Sequence, residues 1–586
     1  MSVLYITTTD RVCPHSKIAQ NPMLQSGVPC DWLGFPILPV YALLSAQFEI
    51  PQGVRIGFGR LDHFDGLSYA AAGVNNSEYL FPKFVTEHFT EVVSLKHGRS
   101  RVLKAGLTFS CPIHVPPALR AEFQALLSSV TRLGAAAEEI GGRVEIRADW
   151  QKNFYRPQET VRLQPELQYK RLNYAIRTVT PLCACLPYDG GSKTERYISG
   201  DLLQCWLKER LGDGYAAFAG SGSFRCANAY PSCRGSRGLP PPSCLAQRKV
   251  NRRVLLYKPA KDSEKFNTEI TVKMNRFLLD PTAASPVCFD TKQRTVFPVT
   301  ASDSDPCGTG SRRGAIREGT VFRGFFEGTD AQIRKIASLL ADDPEAFFGF
   351  YTAEGYGEAV IYAESAEAEE APVERLFRSF DLMFVSDTVL YNDRGVSVCD
   401  SESILKEFER ISGLHGQLRI VNISVAAKTI IPIENDFNLK NAAVQAIGAG
   451  SMLRLESADT RPADVSSLDG AFIGDRNGKG CGELRIFPAC DRALRYMEEA
   501  EPDEFETLLR PNAAELQHGA RFVREIMDRI LQYRVSLMAL NDAAQDEPVP
   551  DGDLEILFAG MRRKYNEECD IETMKQWYRE AVNPRG

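Results

Sequence analysis

The chain has 586 residues, of which 44% are hydrophobic and 25% are charged, so its composition is that of a globular protein with three or four domains. No run of 18 apolar residues is present, and the first residues lack a basic leader followed by an apolar stretch, so neither a membrane span nor a secretory signal is predicted. The net charge of −7 does not indicate a nucleic-acid-binding protein, and a cytoplasmic location without membrane contact is expected.

The negative charge is concentrated at one end of the chain. Residues 501–586 contain 18 acidic and 11 basic residues, which leaves 58 of each in residues 1–500. A balanced body can still carry a basic groove, because partners respond to local potential and not to total charge. The acidic C-terminal segment is helical by pattern, and we expect it to pack on the body or on a partner subunit.

A glycine motif recurs three times along the chain. The pattern G-x5-G-x-G-E-x-x-I fits residues 349–361 and 474–486, and a weaker copy at 134–146 has Ile140 in place of the middle glycine. Each copy is preceded, 28, 30 or 24 residues upstream, by a glycine that opens an alternating, strand-like run; these glycines are Gly106, Gly319 and Gly450. A helical pattern fills the gap in the first two copies and is poor in the third.

The order of elements argues against a nucleotide-binding loop. Such a loop follows a strand and opens a helix, whereas residues 348–357 follow the amphipathic helix of 329–341 and precede a strand. The unit of strand, helix, glycine loop and strand is the second half of a ferredoxin-like βαββαβ fold. We therefore predict an α+β protein of tandem ferredoxin-like (RRM-like) domains.

Two roles are open for the glycine loops. Without a Cβ, the loop backbone can let a flat partner approach closely, and its exposed N–H groups can bind phosphate. The alternative is a tight turn that binds no ligand. Three copies before strands of this kind of sheet favour contact with RNA, and Tyr356, between Gly355 and Gly357, is the candidate for stacking on a base.

A long segment, residues 212–315, interrupts the second unit and is expected to be irregular. Basic residues cluster near both of its ends, and such clusters suit contacts with phosphates or a solvated charged surface. The clustered candidates are Lys249, Arg252, Arg253, Arg312 and Arg313. The fifteen cysteines show no paired C-x2-C spacing, so they are interpreted as scattered thiols and no metal site is predicted.

Several stretches resemble one protein family. They are YISGDLLQCWLKERL (197–211), FRCANAYPSCRGSRGLPPP (224–242), FDLMFVSDTVLYNDRG (380–395), AIGAGSMLRLE and the two strong glycine loops. Together they resemble the CRISPR-associated RAMP superfamily, and more narrowly the large multi-domain RAMP subunit of type III-D effectors. The resemblance covers about 171–490, is weaker for 1–165 and is absent from 500–586.

The resemblance implies ferredoxin-like domains with a glycine-rich loop, in which the turn before the first helix and the glycine loop face RNA. The residues that it assigns to RNA binding are Tyr197, Ser199, Gly200, Gly355, Tyr356, Gly357, Arg476, Lys479, Gly480 and Gly482. It also implies that backbone-cleaving members use an acidic residue between the first strand and the first helix. The second unit has Asp189 in this loop, while the first has Gln20 and Asn21.

The domain organisation follows from the repeats. A first RAMP-like domain is predicted at 1–165, a second at 166–370 with its insertion at 212–315, and a third at 375–500. Residues 365–374 are expected to form an acidic linker, and 501–586 an acidic helical C-terminal segment.

Three functions are compatible with this organisation. The first is a non-catalytic subunit that holds the repeat-derived 5′ end of a CRISPR RNA, contacts target RNA, and binds other RAMP subunits and the large polymerase-like subunit of the complex in antiviral defence. The second is an RNA endonuclease, either metal-dependent at Asp189 or metal-independent with a histidine such as His15 or His114 as base. Only this alternative needs Mg²⁺, and no cofactor is otherwise expected. The third is an interaction scaffold without RNA, which the acidic tail favours.

Overall fold

The structure is a computed structural model. It describes residues 2–582 apart from 15–27, 32, 63–79, 97, 153–160, 185–193, 221–223, 250–253, 258–270, 297–312, 350–351, 353–355, 370–372, 431–432, 435–438, 441–443, 460, 491, 493, 504–512, 545–548 and 566–568.

The elements of the first domain are, in chain order, β1 (Ser2–Thr8), β2 (Ile37–Leu38), α1 (Val40–Ser45), β3 (Arg55–Ile56), β4 (Gly59–Leu61), α2 (Leu80–Phe89), β5 (Thr90–Leu95), β6 (Gly98–Leu103), β7 (Thr108–His114), α3 (Arg120–Ser129), α4 (Ala137–Ile140) and β8 (Val144–Asp149). Its sheet runs β4–β7–β1–β8 with antiparallel neighbours, which is the 2-3-1-4 strand order of a βαββαβ unit. The weakest of the three sequence repeats therefore forms a ferredoxin-like sheet.

The elements of the second domain and its insertion are β9 (Tyr169–Thr178), α5 (Gly200–Leu211), α6 (Gly214–Ala219), β10 (Arg225–Cys226), β11 (Tyr230–Cys233), β12 (Ser236–Arg237), β13 (Leu245–Arg248), β14 (Val254–Tyr257), β15 (Thr271–Lys273), β16 (Phe277–Leu278), β17 (Val287–Phe289), β18 (Gln293–Val296), β19 (Arg313–Ile316), β20 (Val321–Glu327), α7 (Asp330–Asp342), β21 (Glu345–Phe347) and β22 (Glu358–Ala368). The main sheet runs β11–β20–β9–β22, again in the order 2-3-1-4.

Helix α7 begins as its sequence predicts. Thr329 caps it by accepting from Gln332 N, and the Gln332 side chain accepts from Thr329 N in return, which is a capping box. Ile333, Ile336 and Leu340 on its inner face are buried against the sheet.

Two parts of the second domain differ from expectation. The described residues of the segment 212–315 contain nine short strands, β10–β18, and most of β19; β10 and β11 at its start form the second strand of the main sheet. These strands have only two and four residues and include Pro231, so they lack the long alternation that identifies a strand in a sequence. The proposed linker at 365–374 is also partly wrong, since β22 continues to Ala368 and pairs with β9 as far as Tyr169.

The elements of the third domain are β23 (Leu376–Phe377), β24 (Ser379–Phe384), β25 (Leu390–Tyr391), β26 (Ser397–Val398), α8 (Ser401–Ser412), β27 (Leu418–Ser424), β28 (Ala427–Ile430), β29 (Ile433–Glu434), β30 (Leu439–Lys440), β31 (Val444–Ile447), β32 (Met452–Ser457), β33 (Ala463–Asp464), β34 (Leu484–Pro488), β35 (Leu494–Tyr496) and β36 (Glu498–Glu499). The sheet order β27–β32–β24–β34 repeats 2-3-1-4. Between β32 and β34 the described residues contain no α-helix but only the two-residue strand β33 and a short 3₁₀ turn, as the poor helical pattern of the third copy predicts.

The C-terminal segment forms three helices, α9 (Ala513–Ala544), α10 (Asp551–Tyr565) and α11 (Ile571–Val582). Helix α9 packs on the first domain, where Phe522, Ile526 and Ile530 share a core with Phe35 and Phe89. Helix α9 thus lies on the body of the chain, which is one of the two placements that the sequence left open for the acidic segment. Among the described residues, no helix combines the length and the apolar character needed to cross a bilayer.

Candidate nucleic-acid interface

Each glycine loop is held against the segment that follows the first strand of its own domain. We call residues 133–142, 348–357 and 473–482 loop 1, loop 2 and loop 3. In each loop the last glycine donates its N–H to a carbonyl three residues beyond the first strand; the pairs are Gly142 to Arg11 (3.0 Å), Gly357 to Pro181 (2.9 Å) and Gly482 to Asp387 (3.0 Å). The three loops are thus equivalent parts of three equivalent domains.

The glycines of loops 2 and 3 are required by contacts within the chain. Gly357 has φ +79° and Gly482 has φ +88°, and a Cβ on either would overlap a loop carbonyl, of Phe348 or Ile473. The expectation that the missing Cβ leaves this backbone open to a flat partner is therefore wrong at these two positions. Their shared spacing follows from packing and positive φ.

Loops 2 and 3 also contact the preceding domain. Glu358, directly after loop 2, is buried and accepts from Phe58 N of the first domain at 3.3 Å. Glu483, directly after loop 3, is buried and accepts from the Arg237 guanidinium of the second domain at 2.5 and 2.8 Å. The domains are therefore joined in one direction, loop to preceding domain, at both junctions.

The junction of the second and third domains brings together many of the residues that the sequence analysis assigned to RNA binding. Ser199 caps α5 by accepting from Leu202 N, and a Cβ on Gly200 would lie 2.6 Å from the Lys479 carbonyl oxygen of loop 3. Lys479 Nζ lies 3.1 Å from Asp201 Oδ1 at the start of α5, and both side chains are partly exposed. A helix N-terminus beside a lysine can attract an anionic group.

Gly480 and Arg476 complete this junction. A Cβ on Gly480 would approach Asn228 Oδ1, which accepts from Gly200 N at 2.8 Å, so Gly480 also has a packing role. Arg476 has a positive φ of 63°, and its side chain is 22% exposed. Lys479 thus lies at the rim of the junction, whereas the Arg476 side chain is mostly enclosed, with its Nε buried.

Tyr197 lies on the buried side of the same junction. Its ring is 5.2 Å from that of Tyr230, and burial, followed by the Asp387 carboxylate, raises the pKa of Tyr197 well above its usual value. Nearby, burial opposes the charge of Lys428, yet the Asp387 carboxylate at 2.8 Å holds its pKa above the usual value. Tyr197 is therefore partly buried, with its ring packed on the apolar cluster that contains Tyr230.

Tyr356 is less accessible than its position between two glycines suggests. Its side chain is half-buried beside Cys183 and Ala315, and its ring meets Phe58 of the first domain edge-on, with centroids 6.2 Å apart. The preceding domain thus covers part of the ring, which leaves Tyr356 less surface for stacking on a base.

The remaining candidates are separate from this junction or lie outside the description. Lys249 is exposed, and the backbone of Arg313 belongs to β19. Candidates outside the described residues are Asp189, Arg252, Arg253, Arg312, Gly355, His15, Gln20 and Asn21. His114 lies 3.9 Å from Asp343, and burial, followed by Arg55, lowers its pKa.

The structure reveals aromatic and basic side chains that the sequence analysis missed. On β1, Tyr5 is flanked by Arg147 and Lys152, whose cationic groups lie 4.8 and 5.2 Å from its ring centroid. The Arg177 guanidinium of β9 lies 4.3 Å from the ring centroid of Tyr362 on β22. Both tyrosines border one apolar cluster between the sheets of the first two domains, so these cation–π pairs line a shared seam.

The seam has a sequence signal that could have been read. Tyr5 and Tyr362 alternate with core residues on strands whose opposite faces carry the helices, and stacking aromatics on such faces are a feature of single-stranded RNA binders. The described residues contain no cluster of three or more His, Cys, Asp or Glu side chains suited to a metal ion.

Comparison with known proteins gives similarity in structure only. No family profile matches the chain, and no curated protein sequence matches it. Solved structures that it resembles include a Cas6-related protein of Pyrococcus furiosus (10% identity, TM-score 0.27, 54% of this chain and 98% of that one) and a RAMP protein described as binding different RNA substrates (10%, 0.27, 54% and 100%). A chain of the Type III-B Cmr-beta complex bound to cognate target RNA is similar at 11% identity and a TM-score of 0.28, over 48% of this chain and 86% of that one. The ferredoxin-like assignment of the three domains stands on their own strand order.

Proposed function

We propose that this chain is an RNA-binding subunit of a type III CRISPR effector ribonucleoprotein, of the III-D kind, in the cytoplasm. It holds the repeat-derived 5′ end of the CRISPR RNA, contacts target RNA, and binds neighbouring RAMP subunits and the large polymerase-like subunit. Guide pairing then supplies the sequence specificity, while the protein grips the backbone.

The observation that carries this proposal is the meeting of loop 3 with the start of α5. Lys479 lies at the rim of this junction, on the same loop as Arg476 and next to a Ser199-capped helix N-terminus. Cations beside the positive end of a helix dipole favour a phosphate backbone over a neutral ligand. The tyrosine–arginine pairs of the seam between the first two domains supply aromatic surface for bases.

The test is RNA binding by the purified full chain with Lys479→Glu, measured by fluorescence anisotropy with a 5′-repeat RNA at several salt concentrations. We expect weaker binding and a salt slope reduced by about 0.7 for each lost phosphate contact on single-stranded RNA. Lys406→Glu is the matched control, because Lys406 is an exposed lysine of α8 that also pairs with an acidic residue, Glu402. Equal binding by the two variants would refute the role of the junction.

The endonuclease alternative is tested in the same preparation. Bound target RNA is incubated with and without Mg²⁺, using the wild type and Asp189→Ala. An intact RNA in all four reactions agrees with the non-catalytic role, whereas Mg²⁺-dependent cutting that Asp189→Ala abolishes would replace it.

A further inference from the structure

The two internal domain junctions use the same position on the second strand. The domains can be aligned on the glycine that precedes the third strand, Gly106, Gly319 or Gly450. The seventh residue after this glycine pairs with a residue of the second strand. The pairs are Ile113 with Ile56, Phe326 with Cys226, and Ser457 with Leu418. Two residues after Ile56 and Cys226, the second strand is interrupted. The interruption is at Phe58, between β3 and β4, in the first domain and at Asn228, between β10 and β11, in the second. Loops 2 and 3 dock at these two interruptions.

The contacts at the interruptions are close and buried. Phe58, which donates to Glu358, is 2% exposed, and Asn228 is 6% exposed. The Arg237 guanidinium, besides binding Glu483, donates to Asn228 O at 2.6 Å. At both junctions the acidic residue after the glycine loop thus accepts a hydrogen bond from a group that lies at or beside the interruption of the second strand.

The third domain has an irregularity at the corresponding place, and among the described residues neither loop 2 nor loop 3 docks on it. In β27 the register shifts between Ile420 and Asn422, so Val421 is the extra residue of a bulge at the corresponding place. Val421 is 50% exposed and Ile423 is 47% exposed. In the described part of the chain, no strand pairs with the outer edge of β27.

The opposite end of the row of domains is closed. Loop 1 is covered by the β5–β6 hairpin, whose Val93, Leu95 and Val102 pack with Ala135 and Ile140 of the loop region. The residue after its last glycine is Arg143, in place of the glutamate that loops 2 and 3 provide. Loop 1 is therefore not accessible for docking, and it is not followed by an acidic residue like those with which loops 2 and 3 dock.

We infer that the bulged edge of β27 is a docking site for a glycine loop, followed by an acidic residue, of a ferredoxin-like domain on a different polypeptide. A second copy of this chain does not qualify, because its loop 1 is covered and loops 2 and 3 are occupied within the chain. Arg419, beside the bulge, is 66% exposed in its side chain; it pairs with Glu456 at 2.7 Å, and it can also meet the incoming acid. By this mode of docking, the chain therefore accepts a neighbour at the β27 end only.

This inference deepens the assembly part of the proposed function and does not depend on RNA binding. The test places the photo-crosslinker benzoylphenylalanine at Val421 of the full chain, in the complex purified from its native host. Val396 is the matched control, since it is an exposed valine of the same domain, 56% exposed, outside the β27 edge. We expect Val421 to crosslink to a peptide of another chain that contains a glycine loop ending in an acidic residue.

A charge at the same position gives a second readout. Val421→Asp should reduce co-purification of the crosslinked chain by about tenfold or more, as charges at the centre of an interface do, while Val396→Asp should not. Equal melting temperatures of the two variants show that both fold. RNA binding by the isolated chain should be unchanged by Val421→Asp, so a failure of this inference is distinguishable from a failure of the RNA-binding role.

Three outcomes would overturn the inference. They are crosslinks from Val421 to a second copy of this chain, crosslinks to RNA or to an unrelated protein surface in place of a glycine loop, and full retention of the neighbour by Val421→Asp.

Discussion

Glu483 and Arg237 form a two-pronged, buried ion pair across the junction of the second and third domains, with N–O distances of 2.5 and 2.8 Å. Their exposed side-chain fractions are 3% and 15%, so water can compensate little for the loss of one partner. We expect Glu483→Gln to weaken this junction by about 3–5 kcal/mol, because it leaves a buried guanidinium without its counter-charge.

The measurement is hydrogen exchange of the third-domain strands, since a chain with several domains does not unfold in one transition. Arg410 and Glu407 give the control, because their pair lies on α8 with Arg410 67% exposed, and Arg410→Gln should change stability by less than about 1 kcal/mol. Equal effects of the two substitutions would mean that the Arg237 pair does not hold the junction.

Gly482 should tolerate alanine far worse than a glycine with similar backbone geometry in open space. Gly395 has φ +72°, and a Cβ added to it would meet no other atom within 4 Å. Gly395→Ala should therefore reduce the free energy of unfolding only by the cost of a left-handed conformation for alanine, about 1–2 kcal/mol.

Gly482→Ala should reduce the free energy of unfolding by that amount and by about 1–3 kcal/mol more, because its methyl group would overlap Ile473 O. Hydrogen exchange of the third-domain strands checks the difference, because both glycines lie in that domain. A loss of RNA binding by Gly357 or Gly482 variants would then report damage to the fold and not a lost RNA contact.

The repeats in the sequence predicted the fold well because each copy has glycines at positions where the backbone takes a positive φ, which strongly favours glycine. Gly106, Gly319 and Gly450 all have φ between +82° and +88° at the start of the third strand, and each donates to the end of the first strand. Such requirements are local, so spacing alone reveals them even at loop 1, where Ile140 breaks the pattern.

The candidate site was less predictable because its environment is made by other domains. Tyr356 is covered by Phe58, some 300 residues earlier in the chain, and Gly200 packs on Lys479, which lies far beyond it. No local pattern encodes these contacts. The expectation that glycines mark an open backbone failed for the same reason, since the packing that requires them is tertiary.

Cysteine reactivity tests the interpretation of the thiols as scattered and structural. Cys205 is exposed on α5, whereas Cys226 is buried, and burial, followed by the Asp201 carboxylate, raises the pKa of Cys226 well above its usual value. Because the thiolate is the reactive form, we expect maleimide to label Cys205 in the native protein and Cys226 only after denaturation. Peptide mass spectrometry separates the two sites, and rapid labelling of native Cys226 would contradict the packing of β10.

Glu345 predicts how the junction of the first two domains responds to pH. Both of its carboxylate oxygens are buried without a hydrogen-bond partner among the described residues. Burial raises its pKa well above the usual value; Glu358 raises it further, Arg55 opposes the shift, and Asp343 adds to it. The folded protein therefore binds a proton that the unfolded chain has already released above a pH of about 4.3. The stability contributed by protonated Glu345 is present at low pH and falls as pH rises from there towards the folded pKa.

Glu345→Gln keeps the size of the side chain and removes this titration. We expect its melting temperature to match that of the wild type near pH 4.5 and to exceed it increasingly up to pH 8, by about 2–4 °C for each kcal/mol relieved. Glu402→Gln is the control, because Glu402 is 79% exposed and its difference from the wild type should not grow with pH in this way. A difference for Glu345→Gln that stays constant from pH 4.5 to 8 would show that this carboxyl is charged in the folded protein, with Arg55 as the counter-charge that outweighs its burial.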